Sequence, residues 1–376
     1  IAFSIDAMLP AMPEIAAELS PEAPNRATLI LTSFVLGMGV GTFIAGPLSD
    51  ALGRKPVILW GAALYVAACL WAIASDSLMA VLAARVVQGI GAAAPRVVAI
   101  AIIRDLHSGR QMARIMSFAM MIFTIFPAFA PLIGSGIIAL TGWRGIFWAF
   151  ILFVLIAALW LALRQPETLP PPARTPLRAR ALAAAAGEVL RHPVVQLSIV
   201  VQTLLFGTLF GMLSSIQPVF EMTFGRGDSF PLWFALIALV SASGSLINAR
   251  LVVRVGMRGM IRRTLDVQMA LSAIMVAGTF GGFWPEGVAF AAFLVWTMAV
   301  FIMAGLTFGN VNAIAMEPMG HVAGTAASIV ASVATIGAVA IAAPIGLAFD
   351  GTPGPLALGI LACVIAARLV MRRLPG

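Results

Sequence analysis

"GPLSDALGRKP", residues 46–56, lies between two apolar stretches and has to reverse the chain within a few residues. Two glycines, Gly46 and Gly53, flank a carboxylate, Asp50, and two cations, Arg54 and Lys55, follow. Glycine allows close backbone approach and dihedral angles that other residues resist. The three charges can pair with one another and with helix ends. An ordinary basic turn would account for Arg54 and Lys55, but not for an acid at the edge of an apolar run between two glycines.

The flanking stretches are membrane spans by composition. Hydrophobic residues make up 61% of the 376 residues and charged residues 10%, with a mean hydropathy of +1.04, well outside the range of soluble domains. A helix of roughly 17 to 25 apolar residues crosses a bilayer. Twelve candidates fit, near 1–19, 27–48, 56–74, 78–103, 113–139, 146–163, 193–217, 230–249, 261–282, 288–314, 322–346 and 355–370. The turn at 46–56 joins the second and third. The first span opens at Ile1 inside an apolar run and reads as a retained helix truncated at its N-terminus. The expected class is therefore an all-α integral membrane protein of twelve transmembrane helices.

The net charge of +8 follows the membrane and not a nucleic-acid surface. With the N-terminus inside, the inner loops and tail hold eighteen Lys and Arg residues, and the outer loops hold Arg26, Arg144 and Arg226. The positive-inside rule then places both termini in the cytoplasm. The basic clusters are expected to anchor to the inner leaflet, with no nucleic acid as partner. Cys69 and Cys363 fall far apart inside spans, which suits neither a disulfide framework nor a metal site. His107, His192 and His321 sit at inner ends and form no catalytic cluster, so no enzyme, metal or cofactor is expected.

One long polar connection, "RQPETLPPPARTPLRARALAAAAGEVLRHP" at residues 164–193, leaves six spans on each side. It divides the chain into bundles 1–163 and 193–376 with a cytoplasmic linker at 164–192. The proline run cannot be helical, whereas "RARALAAAAGEVL" can form an amphipathic surface helix. "PLSDALGRKP" recurs faintly 203 positions on as "RLVVRVGMRG", pairing Gly53 with Gly256 and Lys55 with Arg258. Repeated halves in one membrane chain point to transport through a site between them.

The opening stretch resembles the G-x-L-x-D-x-x-G-R-K signature of the major facilitator superfamily. "SIDAMLPAMP" (4–13), "RVVQGIGAAA" (85–94), "IRDL" (103–106), "PETLPP" (166–171) and "HVAGTAAS" (321–328) are similar to the bicyclomycin-resistance (Bcr/CflA) branch of proton-coupled multidrug antiporters. The resemblance implies two pseudo-symmetric six-helix bundles around a cavity that opens alternately to either side. It also implies a latch of Gly46, Asp50, Gly53, Arg54, Lys55 and Asp105 that holds the outward-open state.

Two charges lie deep in spans. Arg85 is about eight residues into the fourth span, where an Arg costs roughly 2.5 to 3.5 kcal/mol and needs a partner. Asp6 is the acid that lies plainly mid-span, so the two are expected to pair, and the resemblance agrees in placing both at the cavity. The pair either carries the coupling proton or simply locks two helices together. Arg96, eleven positions after Arg85, projects from nearly the same face, about 16 Å further along the axis. The family pattern has a small residue there. Arg96 either extends a polar track, rejects cationic cargo, or pairs with a helix end.

In the fifth span "PAFAPLIGSG" (127–136) sets Pro127 and Pro131 four apart before Gly134, a hinge pattern that resembles the antiporter motif except at Ala130. Gly37, Gly39 and Gly41 suit close helix packing. Phe34, Met38, Phe123, Thr124, Gln202, Phe206 and Asn312 are the expected cavity lining for cargo, the two amides because a mid-span amide needs a partner or water. The expected function is a monomeric exporter of the bacterial inner membrane, exchanging small, largely apolar drugs for protons. The rival on the same fold moves an endogenous sugar or amino acid. A receptor or scaffold would be expected to carry sizeable soluble domains.

Overall fold

The computed structural model of the chain describes residues 1–177 and 179–374, leaving aside the side chains of residues 113, 117, 120, 121, 123–125, 179, 181, 286, 321 and 323. Helices carry the described chain and no strand occurs in it. Among the described residues, ten helices are long and apolar enough to cross a membrane. They are α3 (Leu29–Leu52), α4 (Arg54–Ile73), α5 (Leu78–Leu106), α7 (Arg144–Arg164), α9 (Pro193–Pro218), α10 (Phe230–Val255), α11 (Met257–Gly281), α12 (Glu286–Met316), α13 (Ala323–Leu347) and α14 (Gly354–Arg373).

The other two expected spans also exist, in altered form. α6 (Gly109–Thr141) runs 33 residues, longer than the expected 113–139. The first span is divided into α1 (Ala2–Asp6) and α2 (Met12–Leu19), joined by a 3-10 turn at Leu9–Ala11. The break falls where Pro10 and Pro13 supply no backbone N–H. Met8 N, which would bond the Ser4 carbonyl in a continuous helix, bonds Ile5 O instead at 3.3 Å. The carbonyl of Ser4 is thereby left for another partner.

The turn at residues 46–56 is one residue wide. Gly53, at φ 108° and ψ 159°, ends α3 and starts α4. Gly256, at φ 76° and ψ 155°, does the same between α10 and α11. The faint repeat at 203 residues is thus a repeat of backbone geometry, in a region of φ that favours glycine.

Helix packing follows the small residues, because lipid gives helices no hydrophobic drive to associate. α5 lies against α3 and α4. A Cβ on Gly37 would stand 1.9 Å from Val86 O, and one on Gly89 2.1 Å from Phe34 O, so the α3 and α5 backbones touch. Gly39 faces the other way, toward Ile336 of α13, and its carbonyl accepts from Ser332 Oγ at 2.7 Å. α3 on α13 and α6 on α10 connect the helices before the polar connection to those after it. Asn25, just before α3, donates to Phe349 O at 2.6 Å beyond the end of α13. Within the polar connection α8 (Ala179–Arg191) is the expected amphipathic helix.

Candidate functional site

Arg54 begins α4 and is nearly enclosed, with 5% of its side chain exposed. Its guanidinium bonds Asp50 Oδ1 one turn back in α3 at 2.5 Å, Ser49 Oγ at 2.8 Å, and Asp105 Oδ2 in the last turn of α5 at 3.0 Å. One cation therefore ties the ends of three helices, bringing together Asp50, Arg54 and Asp105. Lys55 does not join the acids. Its Nζ donates to Ala162 O at 2.7 Å near the C-terminus of α7, where free carbonyls favour a cation. Gly46 leaves ordinary room, since a Cβ there would be 3.5 Å from Ser328 Oγ.

Glu167 completes this cluster and sequence reasoning missed its role. Its carboxylate accepts from Arg54 N at 2.9 Å, Lys55 N at 3.1 Å and Leu169 N at 2.9 Å. A Cβ on Gly53 would stand 2.7 Å from Glu167 Oε2, so glycine is required there for space as well as for φ. The next residue, Thr168, donates to Asp105 Oδ2 at 3.2 Å. The signal was present in "PETLPP", but nothing local says that an acid 113 residues away caps the start of α4.

Burial by itself raises the Glu167 carboxyl pKa; the N–H groups of Leu169, Arg54, Lys55 and Thr168 outweigh it and hold the carboxyl below its ordinary value. A depressed folded value means that the stabilisation is present above the ordinary carboxyl range and fades as pH falls through it. Glu167→Gln is expected to cost about 1 kcal/mol at about pH 7, the size of a lost helix cap. Thermal unfolding in detergent checks this: the gap between wild type and variant should close as pH falls below about 4.

Arg85 is fully buried within α5. Nη2 donates to Ser4 O at 2.9 Å, Nε to Ile30 O at 3.2 Å and Nη1 to Gln88 Oε1 at 2.6 Å, and the guanidinium lies 4.4 Å from the centre of the Phe34 ring. It thus takes up the carbonyl freed by the break in the first span. Gln88 passes the network on to Cys69 Sγ at 3.0 Å, and Ser4 Oγ meets Tyr65 Oη at 2.7 Å.

The expected Asp6–Arg85 ion pair is not formed. Residues two apart on a helix lie about 200° apart in direction, so the helix that presents Ser4 to Tyr65 and Arg85 turns Asp6 elsewhere. Asp6 is 5% exposed and has no side-chain hydrogen bond or ion pair among the described residues. Beside it, a Cβ on Gly134 of α6 would be 2.4 Å from Ala7 O, so the expected hinge glycine touches the acid's neighbour. α6 runs as one helix through Pro127 and Pro131.

The expected cargo residues do not gather into one pocket. Phe34 is fully buried beneath Arg85, and Met38 is buried with its Sδ 3.5 Å from Arg96 Nη1. Gln202 is buried and its Oε1 has no hydrogen-bond partner among the described residues. Phe206 sits edge-on to Phe308 at 4.7 Å, and Asn312 is exposed. The side chains of Phe123 and Thr124 lie outside the described residues. No described group of His, Cys, Asp and Glu could hold a metal ion.

The sequence profile of the Major Facilitator Superfamily matches residues 1–342. The chain belongs to the major facilitator superfamily. A bicyclomycin resistance protein homolog of Haemophilus influenzae is 31% identical over 371 residues, covering 98% of this chain and 91% of that one. A chloramphenicol resistance protein of Pseudomonas aeruginosa is 32% identical over 256 residues, covering 67% of this chain and 58% of that one. The crystal structure of a D-xylose-proton symporter superposes with a TM-score of 0.77 at 15% identity, covering 100% of this chain and 95% of that one, a likeness of fold. As a major facilitator, the chain is a multi-pass membrane transporter and not an enzyme.

Proposed function

We propose that the protein exports small, largely apolar drugs across the bacterial inner membrane in exchange for protons. The observation that carries this reading is Asp6: an acid enclosed in a span, without a hydrogen-bond or ion-pair partner among the described residues, on a short helix that Arg85 holds by the Ser4 carbonyl. Intramembrane acids of this kind mark proton pathways. In this reading Asp6 holds a proton in one conformation and gives it up when movement of the first span brings water to it. The resistance proteins among the relatives support drugs as cargo.

The alternation is a rocking of bundle 1–163 against bundle 193–376, with 164–192 as the tether and a single chain as the working unit. Gly46, Asp50, Gly53, Arg54, Lys55 and Asp105, together with Glu167, latch the cytoplasmic ends, both termini being on that side. Pro127, Pro131 and Gly134 let α6 bend next to Ala7. Phe34, Met38, Gln202, Phe206, Asn312, Phe123 and Thr124 are the proposed cargo contacts, of which Phe34, Met38 and Gln202 become accessible as the halves separate. The test is chloramphenicol uptake by liposomes holding the purified protein, compared with empty liposomes. Accumulation is expected when the interior is acidic, and a protonophore should abolish it. Uptake that ignores both the gradient and the protonophore rules out exchange.

A further inference from the structure

Arg96 lies in α5, one of the apolar spans, and is exposed. Its one side-chain hydrogen bond among the described residues is from Nη1 to the Met38 thioether at 3.5 Å, and no described carboxylate is within ion-pair distance. A thioether is a weak acceptor and leaves the charge uncompensated. An unpaired Arg in a span is costly and belongs with a water-filled cavity or a bound partner.

Its direction can be read from the helix. Ala93 packs on Gly41 of α3, and Ala94 packs on Gly61 of α4. Arg85, about 20° away from Arg96 around the axis, points to the seam between α1 and α3 through Ser4 O and Ile30 O. Arg96 therefore follows that seam on the side away from α4, about 16 Å beyond Arg85. Arg85 gives three of its donors to oxygen acceptors, whereas Arg96 gives none to an oxygen among the described residues.

We propose that Arg96 is the residue that selects cargo by charge, donating to an oxygen acceptor or anionic group of the cargo and excluding cations. This rests on the transport reading above. A guanidinium offers five donors in a plane, suited to carboxylate, nitro and carbonyl oxygens. Asp6 alone would attract cations into the same region. Arg96 opposes that attraction, so the cavity takes neutral or acidic molecules.

The experiment measures equilibrium binding of two radiolabelled probes to purified protein in detergent: chloramphenicol succinate, an anion, and tetraphenylphosphonium, a cation. Wild type is expected to bind the anion more tightly. Arg96→Gln should weaken anion binding by about fiftyfold, the effect of one charge over about 7 Å at an effective dielectric of about 20, and strengthen cation binding by a similar factor, so that the affinity ratio shifts toward the cation by on the order of a thousandfold. Arg96→Lys, which keeps the charge, should stay near the wild-type ratio. A purely structural Arg96 would lower melting temperature and both affinities together, leaving the ratio unmoved. An unmoved ratio in Arg96→Gln, or a wild type that does not prefer the anion, overturns the proposal. Binding needs no proton gradient, so failure of drug–proton exchange leaves this result to stand on its own.

Discussion

Asp6→Asn protein is expected to lose proton-driven accumulation of drug by at least about a hundredfold while still exchanging drug for drug down a concentration gradient. A hundredfold corresponds to about 2.7 kcal/mol withdrawn from the coupled step. Asparagine has nearly the shape of a protonated aspartate and cannot release a proton. Because Asp6 makes no hydrogen bond or ion pair among the described residues, the substitution orphans no partner, and the folded protein should melt close to wild type. The two assays use the same liposomes: one with an imposed pH gradient, one with equal pH and labelled drug on one side. Asp6→Glu should retain a measurable part of the coupling, since it keeps a titratable group. An Asp6→Asn protein that still concentrates drug under a pH gradient would show that the proton travels elsewhere.

The membrane architecture was legible because it rests on local chemistry. Span length, the glycine pair around Asp50 and the cations after it each act within a few residues, and Gly53 and Gly256 adopt nearly the same backbone geometry as their weak sequence repeat suggested. What was not legible depends on direction and distance. Pairing Asp6 with Arg85 followed from counting buried charges, which takes no account of where a helix ends. The break at Pro10 turned the Met8 N–H to Ile5, freed the Ser4 carbonyl, and gave Arg85 a backbone partner that no count of acids reveals. Glu167 was hidden for the opposite reason: the sequence shows a proline-rich connection, and only folding carries its acid to the N-terminus of α4. Lys55 shows the same limit, since its preference for the end of α7 over Asp50 is decided by the turn of the backbone at Gly53. Arg96 stood out in the sequence as a departure from the family pattern. Of the three readings open there, no helix end receives its charge among the described residues, where its hydrogen bond goes to Met38.

Arg85→Met is expected to differ from Asp6→Asn in losing downhill exchange as well as coupling. The guanidinium serves the carbonyls of Ser4 and Ile30 and the Gln88 amide at once, in an enclosed site. Each buried acceptor left bare costs about 1 to 3 kcal/mol, so the loss of all three is expected to cost about 3 to 5 kcal/mol, part of the sum being recovered by local relaxation. Methionine can fill the space over Phe34 and does nothing for the carbonyls. The first to suffer is α1, a helix of five residues too short to hold itself, which depends on Arg85 across the break. Arg85→Lys should recover little, because an ammonium on a flexible stem cannot present the planar fork that reaches three acceptors. Thermal unfolding and the equal-pH exchange assay together decide the matter. A stable Arg85→Met protein that exchanges drug downhill and fails only under a pH gradient would mean that Arg85 acts on the proton itself. In that case the ion pair absent from this conformation must form in another. Joint loss of stability and downhill exchange is the expected result, and it makes Arg85 the residue that positions the helix carrying Asp6.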